Sequence, residues 1–502
     1  MNRLGLIYIG TNSVKLVLSE IDENGYFHII DELTSKVRLC YDLIDGDTIT
    51  NERINETIST LKSFKSLCTV CGAKKIITVA TEIFRLSSNK DYFKKLIKDE
   101  VNLDVEILSS EEEIEYTYKG VINSIHFDNS LVVSICGSST HLIWIKNNEI
   151  INSITLPIGT VNLSYCYDLY DRITKENLDK AISNINLLLD NCHWLKKENF
   201  NSIIAIGGTV RAISKIDRFK KHYPLVNTHQ YLMNDYDVKD VFNLLKCKDL
   251  KLRKNVNGLS PSRGDIIVAG TLIFEEIIKK IDVSKIIISG RGIREGILYD
   301  YSHKNYNNTK TPLDYSIYGI MDNLNVNKIH GEHVFKIALK LFQELKPLHH
   351  LKDDYYPILK TAALLHDCGI SIDYYNHHIH SFYIILNSNI NGLDHKQLLI
   401  SASIAACHRN NNYHIPFPQY SSIINKADLK NIEYLGLILK MSEGLDRSLE
   451  GSVKDINVTI TENDVIIDLI SDYNLDLEIK QALRCSKYFK ETYNKNLIIK
   501  KL

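Results

Sequence analysis

Short apolar runs separated by small polar turns open the chain. Residues 6–9 and 14–18 are apolar and flank the turn Gly10-Thr11-Asn12-Ser13, a pattern that predicts strand, turn, strand. Residues 55–64 carry apolar positions at helical spacing, 75–80 read as a buried strand, and 93–98 as part of a helix. The pattern then restarts about 120 residues on. Residues 131–135 read as a strand, 136–140 as a small-residue turn and 141–145 as a returning strand. Strands alternating with helices imply an α/β layer architecture, and two such lobes face to face would hold a phosphate ligand between their turns. The second lobe is expected to end near Ile297, after a strand at 285–289 and a glycine-rich turn.

Residues 305–311 are polar and asparagine-rich and read as a linker. Beyond them the periodicity becomes helical, with helices expected at 330–345, 356–366, 398–408 and 432–442. The end of the chain changes again. Val453, Ile456, Val458 and Ile460 lead to a second apolar run at 465–469 and a helix from about Glu478, a small α/β cap. The expected divisions are therefore 1–124 and 125–303 for the two lobes, 312–450 for the helical domain and 451–502 for the cap.

Length supports several domains, since 502 residues exceed what one core holds. Charge narrows the function. Lysine plus arginine number 60 against 61 aspartate plus glutamate, so no global field attracts a polyanion. Any phosphate site must be a local cluster of arginines and backbone amides, and a dedicated nucleic-acid binder is disfavoured. The ten cysteines are scattered, with one C-x-x-C at Cys68 and Cys71, too little for a zinc or redox motif. Reduced thiols, no signal-like apolar segment at the start and no apolar run of roughly 20 residues give the expectation of a cytoplasmic, membrane-free protein.

Several segments carry candidate chemistry beside a plain structural reading. The turns at 10–13 and 137–140 offer glycine, hydroxyl and amide groups to phosphate oxygens, or are simply hairpins. Ser109-Ser110-Glu111-Glu112-Glu113 reads as a capped helix start, or as the source of a general base that activates water. Gly207-Gly208-Thr209 ends a strand and opens a helix, a place suited to an anion. Ser289-Gly290-Arg291-Gly292-Ile293-Arg294-Glu295-Gly296 is a second glycine-rich strand exit. Farther on stand His330, the pair His366-Asp367, further histidines at 377, 378, 380 and 408, and Glu443 with Asp446 one turn later. Scattered histidines also serve as capping residues near helix ends.

Taken in order, these segments resemble the exopolyphosphatase/guanosine pentaphosphate phosphatase (Ppx/GppA) family of the actin and sugar-kinase superfamily, a ribonuclease H-like fold. The family's D-x-G-S-N-S loop matches Tyr8-Ile9-Gly10-Thr11-Asn12-Ser13, and its A-T-x-x-x-R segment matches Ala80 to Arg85. Its S-G-x-E-E segment matches Ser109 to Glu113, and its D-I-G-G-G-S-T-E loop matches Ser134 to His141. L-P-x-G is Leu156 to Gly159, and G-L-R-E-G is Gly292 to Gly296; Arg263-Gly264-Asp265 through Gly270 also matches.

The resemblance implies hydrolysis of a terminal phosphoanhydride of polyphosphate or guanosine pentaphosphate, with magnesium or manganese held by acids beside the loops. It implies Glu112 as the base. It implies Gly10, Thr11, Asn12, Ser13, Arg85, Gly137, Ser138, Ser139, Thr140, Gly208 and Thr209 as phosphate-binding groups. Three expected acids are replaced, by Tyr8, Ser134 and His141, which leaves open a phosphate-binding regulator without turnover. The helical region resembles the HD superfamily, whose H…HD…D pattern would put metal ligands at His330, His366, Asp367 and Glu443. That reading allows either an inactive scaffold that supports a homodimer or a metal-dependent phosphohydrolase.

Overall fold

A computed structural model of the chain describes residues 2–44, 46–196, 198–306, 310–409 and 415–502. These fall into two compact units, 1–309 and 310–502. The expected linker at 305–311 straddles that division. Its residues 307–309 lie outside the described residues, while one helix runs to Tyr306 and the next starts at Pro312, after a Thr311 cap.

The first unit holds two sheets built to one plan. In the first, β1 (Asn2–Ile9), β2 (Val14–Ile21) and β3 (Phe27–Ser35) form an antiparallel meander. β4 (Ala73–Ala80) and β5 (Val105–Ile107) join parallel to β1, giving the order β3-β2-β1-β4-β5. The second repeats this with β6 (Asn129–Ile135), β7 (Thr140–Lys146), β8 (Glu149–Leu156) and β9 (Ser202–Ile206). β10 (Tyr231–Met233) and β11 (Ile286–Ile288) complete the order β10-β11-β9-β6-β7-β8, with β10 an added antiparallel edge. The repeat seen in the apolar pattern is thus a duplicated α/β lobe. β1 and β6 are central and apolar on both faces, as strands covered on both sides must be.

Equivalent helices follow equivalent strands. Ser110–Ile122 comes after β5 and Ile293–Tyr306 after β11. The two cross with their backbones in contact. A Cβ on Gly120 would lie 2.3 Å from the Gly292 carbonyl oxygen, and one on Gly296 would lie 1.8 Å from that of Tyr116. The glycines of the second strand exit therefore serve this crossing, which fixes the start of the second helix against the C-terminal half of the first. The helix Ile267–Ile281, buried on nearly every side, lies at the centre of the second lobe's core.

In the second unit, helices Lys328–Glu344, Tyr356–Leu365, His395–Cys407 and Lys426–Gly444 stand where the periodicity predicts them, with His377–Asn387 added. β12 (Asp455–Ile460), β13 (Asp464–Ile470) and β14 (Asn496–Lys501) form a three-stranded sheet. It belongs to the same compact unit as the helices; the His333 ring reaches the Val453 carbonyl at 2.7 Å.

Candidate functional site

The two matching loops meet inside the first unit. Gly10 N–H donates to the Ser13 carbonyl at 3.1 Å, and Cys136 N–H to that of Ser139 at 2.9 Å, so each loop is a closed turn. Gly137 packs on Thr11 so closely that a Cβ there would lie 2.3 Å from the threonine hydroxyl. A cleft opens between them. Gly10, Thr11, Asn12 and Ser13 line one wall, Gly137 the other, and Gly208 its floor at the start of the helix Gly208–Lys220. Gly207 makes that floor possible, since its φ of 111° is a conformation side chains resist.

Other expected phosphate groups turn elsewhere. The Ser138 hydroxyl donates to Glu82 at 2.5 Å, and that of Thr140 to the Ile158 carbonyl at 2.7 Å. Ser139 is buried, and buried Thr209 accepts from Arg263 at 3.2 Å. Arg85 is turned onto Glu113 at 2.5 Å and the Leu108 carbonyl.

Four cations take their place. Lys15, Arg211, Arg263 and Arg294 all line the cleft, with Glu113 and Glu295 as the lining acids. They come from β2, two separate helices and the 261–263 turn, so no local motif displays them together. Burial, then Arg294, Arg211 and Arg263, pull the Lys15 ammonium down to about 7. Burial and Arg211 lower Arg263 to about 10, and its Nε is buried without a hydrogen-bond partner. Positive groups that repel each other around a concave space form an anion site.

Of the two acids lining the cleft, Glu295 pairs with Arg294 at 3.4 Å, and Glu113 is the candidate base where the sequence pointed to Glu112. Ser109 caps its helix by accepting from the Glu112 N–H at 3.1 Å, and the Glu112 carboxylate accepts from the Ser109 N–H at 2.7 Å. That capping box keeps the Glu112 side chain exposed on the helix end. The next residue points inward. Glu113 is 4% exposed, and burial raises it to about 7 against the opposing pull of Arg85. The Ser109-x-x-Glu112 spacing is itself a capping signature and is the signal that separates these two glutamates.

Tyr8, Ser134 and His141 all line the same space. Burial, then Glu113 and Cys136, push the Tyr8 phenol well above its ordinary value. Burial, then Arg85, lower His141 to about 4, so it is neutral at pH 7. Its Nδ1 lies 3.0 Å from the Thr155 hydroxyl. Its Nε2 has no hydrogen-bond partner and faces Glu113 Oε2 at 3.7 Å. A hard divalent cation requires carboxylate oxygens. Here a neutral phenol, a hydroxyl, a neutral imidazole and an arginine-bound glutamate stand among four fixed cations. This donor set does not fit magnesium or manganese.

The second unit gathers its histidines. His330, His366 and Asp367 bring ligand atoms within 4.8 Å of one another, and so do Asp367, His377 and His408. Glu443 does not join them. It pairs with Arg447 at 2.9 Å, while Asp446 holds His330 Nδ1 at 2.7 Å. One helical turn of difference decides this, because the aspartate lies past the end of Lys426–Gly444 and curls back toward the cluster.

Comparison with known proteins places this geometry. The chain matches the Ppx/GppA phosphatase family over residues 17–305 and domain III of that family over 314–486. A guanosine-5'-triphosphate,3'-diphosphate pyrophosphatase of Pseudoalteromonas translucida is 26% identical over 414 residues, 82% of this chain and 81% of the relative. One from Aeromonas hydrophila is 24% identical over 477 residues, 93% of this chain and 92% of the relative. The solved structure of an Aquifex aeolicus Ppx/GppA family member is 27% identical, with a TM-score of 0.52, over 61% of this chain and 99% of its own. An exopolyphosphatase from Cytophaga hutchinsonii shares the fold at 24% identity and a TM-score of 0.58, over 60% of this chain and 98% of its own. Among the described residues no helix is long and apolar enough to cross a membrane.

Proposed function

The chain belongs to the Ppx/GppA phosphatase family, and on that footing we propose that its cleft binds the terminal phosphates of polyphosphate or guanosine pentaphosphate and hydrolyses the last anhydride without a metal in the cleft. The observation that carries this is the convergence of Lys15, Arg211, Arg263 and Arg294 on a cleft whose acid, Glu113, is tuned to about 7. Phosphoryl transfer needs positioning and charge neutralisation more than covalent help. The four cations take the equatorial phosphate oxygens, and the loop amide of Gly137 orients the chain end. Arg85 occupies Glu113 Oε1, which leaves Oε2 to take the proton of the attacking water.

A phosphate-release assay on both substrates, with magnesium, with manganese and with EDTA, tests this reading. Release that persists in EDTA and disappears in Glu113→Gln is expected. Release that depends wholly on added metal, or survives Glu113→Gln, would overturn it.

A second reading is favoured by Tyr8, Ser134 and His141: a regulator that binds the same anions without turnover. Calorimetry distinguishes the two, since it would then show tight binding to a protein that releases no phosphate. The helical unit is best read as HD-type. A histidine, a His-Asp pair after an apolar helix and a final aspartate occur in that order and meet, with Asp446 in the last position.

A further inference from the structure

Residues 36–44 form a strap that both lobes of the first unit share. Its backbone holds the first loop: Arg38 N–H donates to the Asn12 carbonyl at 3.1 Å, and Cys40 N–H to that of Thr11 at 2.9 Å. Arg38 takes a left-handed conformation, φ 49°, which turns the chain at this point. Buried Val37 and Leu39 anchor the strap in the core of the first lobe. Arg53 braces it from the helix Asn51–Val70, donating to the Val37 carbonyl at 2.9 Å and to Asp42 at 2.7 Å.

Side chains of the strap cross to the second lobe and meet on one atom. The Tyr41 hydroxyl donates to Asp265 Oδ2 at 2.8 Å, and the Arg38 guanidinium stands 3.5 Å from the same oxygen. From the second lobe the Tyr165 hydroxyl donates to it at 3.4 Å, and the Tyr41 and Tyr165 rings pack edge to face at 4.9 Å. Burial, then Tyr165 and Asp265, push the Tyr41 phenol far up, so it stays a neutral donor. Lys36 adds a bond to the Ser262 hydroxyl. Asp265 belongs to the turn that carries Arg263. Ser164 holds that turn by donating to the Asp265 carbonyl at 2.5 Å, and fully buried Arg253 donates to the Gly264 carbonyl at 2.9 Å. Arg263 packs on the cleft floor, where a Cβ on Gly208 would lie 2.5 Å from its Nη1. It donates to Thr209 at 3.2 Å and leaves Nε unpaired, so its placement depends on the turn that carries it.

We propose that Tyr41 and Asp265 are positioning residues for the cleft: their hydrogen bond ties the first loop to the turn bearing Arg263, so that one phosphate group meets both at once. Neither side chain is among the described residues lining the cleft. Tyr41 acts on the loop through the strap's bonds to Thr11 and Asn12, and Asp265 acts on Arg263 through the turn they share. The inference rests on the reading of the cleft as an anion site. By linkage, an anion that bridges loop and guanidinium strengthens the tie as much as the tie strengthens its binding. Loss of the tie leaves the base Glu113 in place, so it weakens binding more than it slows the chemical step.

Calorimetry with tripolyphosphate on the full-length protein tests this as a double-mutant cycle. Tyr41→Phe, which removes only the hydroxyl, should weaken binding about three- to tenfold, the size of one hydrogen bond. In Arg263→Ala protein the same change should cost less than about twofold, because the group it positions is gone. In the phosphate-release assay Tyr41→Phe should raise KM and hold kcat within about twofold. Unchanged affinity in Tyr41→Phe, an equal loss with and without Arg263, or a fall in kcat alone would overturn the proposal. A further measurement needs no ligand. Hydrogen exchange of the free Tyr41→Phe protein should be faster both at Arg38 and Cys40, which hold the loop, and at Arg263, Gly264 and Ile266 in the turn. Faster exchange in one segment alone, or in neither, sinks the tie whatever the cleft binds. The anion reading fails separately, when the wild-type protein gives no heat with tripolyphosphate.

Discussion

The cleft of the first unit and the histidine cluster of the second are electrostatic opposites. The cleft collects cations and has few anionic donors; the cluster collects imidazole nitrogens around one carboxylate. In the cleft the protein supplies the positive charge itself. In the cluster it supplies imidazole nitrogens around a carboxylate. The replacements at Tyr8, Ser134 and His141 follow from this contrast, because fixed arginines and a bound divalent cation compete for the same phosphate oxygens.

The strongest test of the contrast removes the fixed charge. Arg211→Ala/Arg263→Ala should lower affinity for tripolyphosphate by about 10²–10⁴-fold, at about 1.5–3 kcal/mol for each charge-assisted bond. Calorimetry measures it, and an unchanged affinity would break the comparison. Next in size is Glu113→Gln, which should slow phosphate release by about 10²–10³-fold while leaving affinity equal or better.

A structural change comes third. Gly296→Ala places a methyl group in the Tyr116 carbonyl and should destabilise the first unit by about 1–3 kcal/mol, read as a lower midpoint in urea.

The pH dependence is subtler. Glu113 must lose its proton and Lys15 must keep one, and both titrate at about 7, so kcat/KM should form a narrow bell near neutrality. A bound phosphate stabilises the charged ammonium, so binding near pH 7.5 should take up protons, measurable in buffers of different ionisation heat. Lys15→Met should abolish that uptake. The lysine also bears on stability. Its folded value lies below the ordinary 10.5, so the unfolded chain binds the extra proton, and ligand-free stability rises with pH between about 7 and 10.5. Lys15→Met should therefore stabilise the empty protein most below pH 7. The smallest effect is expected from Glu112→Ala, which loosens a helix cap by less than about 1 kcal/mol and leaves phosphate release unchanged.

Much of this was legible in the sequence. The apolar pattern gave the duplicated strand-turn-strand, the four main helices and the closing sheet, because burial dictates side-chain periodicity residue by residue. The order of short motifs identified the family, and the absence of acids at positions 8, 134 and 141 is visible in the letters alone. The sequence also held, unread, the capping spacing that assigns Glu112 to the helix end. Edge strand β3, with a mostly exposed burial pattern, and the uniformly buried helix Ile267–Ile281 carried no clear period and were not expected.

Only the tertiary structure decided which charges share a space. Lys15, Arg211, Arg263 and Arg294 are far apart in the chain, and their mutual repulsion exists only once the lobes close around the cleft. His377 and His408 gave no more signal than the other histidines until two carbonyls held their Nδ1 atoms and Asp367 lay beside both rings. Sequence periodicity reports what each residue does to its own element. Electrostatic sites depend on distances between elements, and those are set by packing.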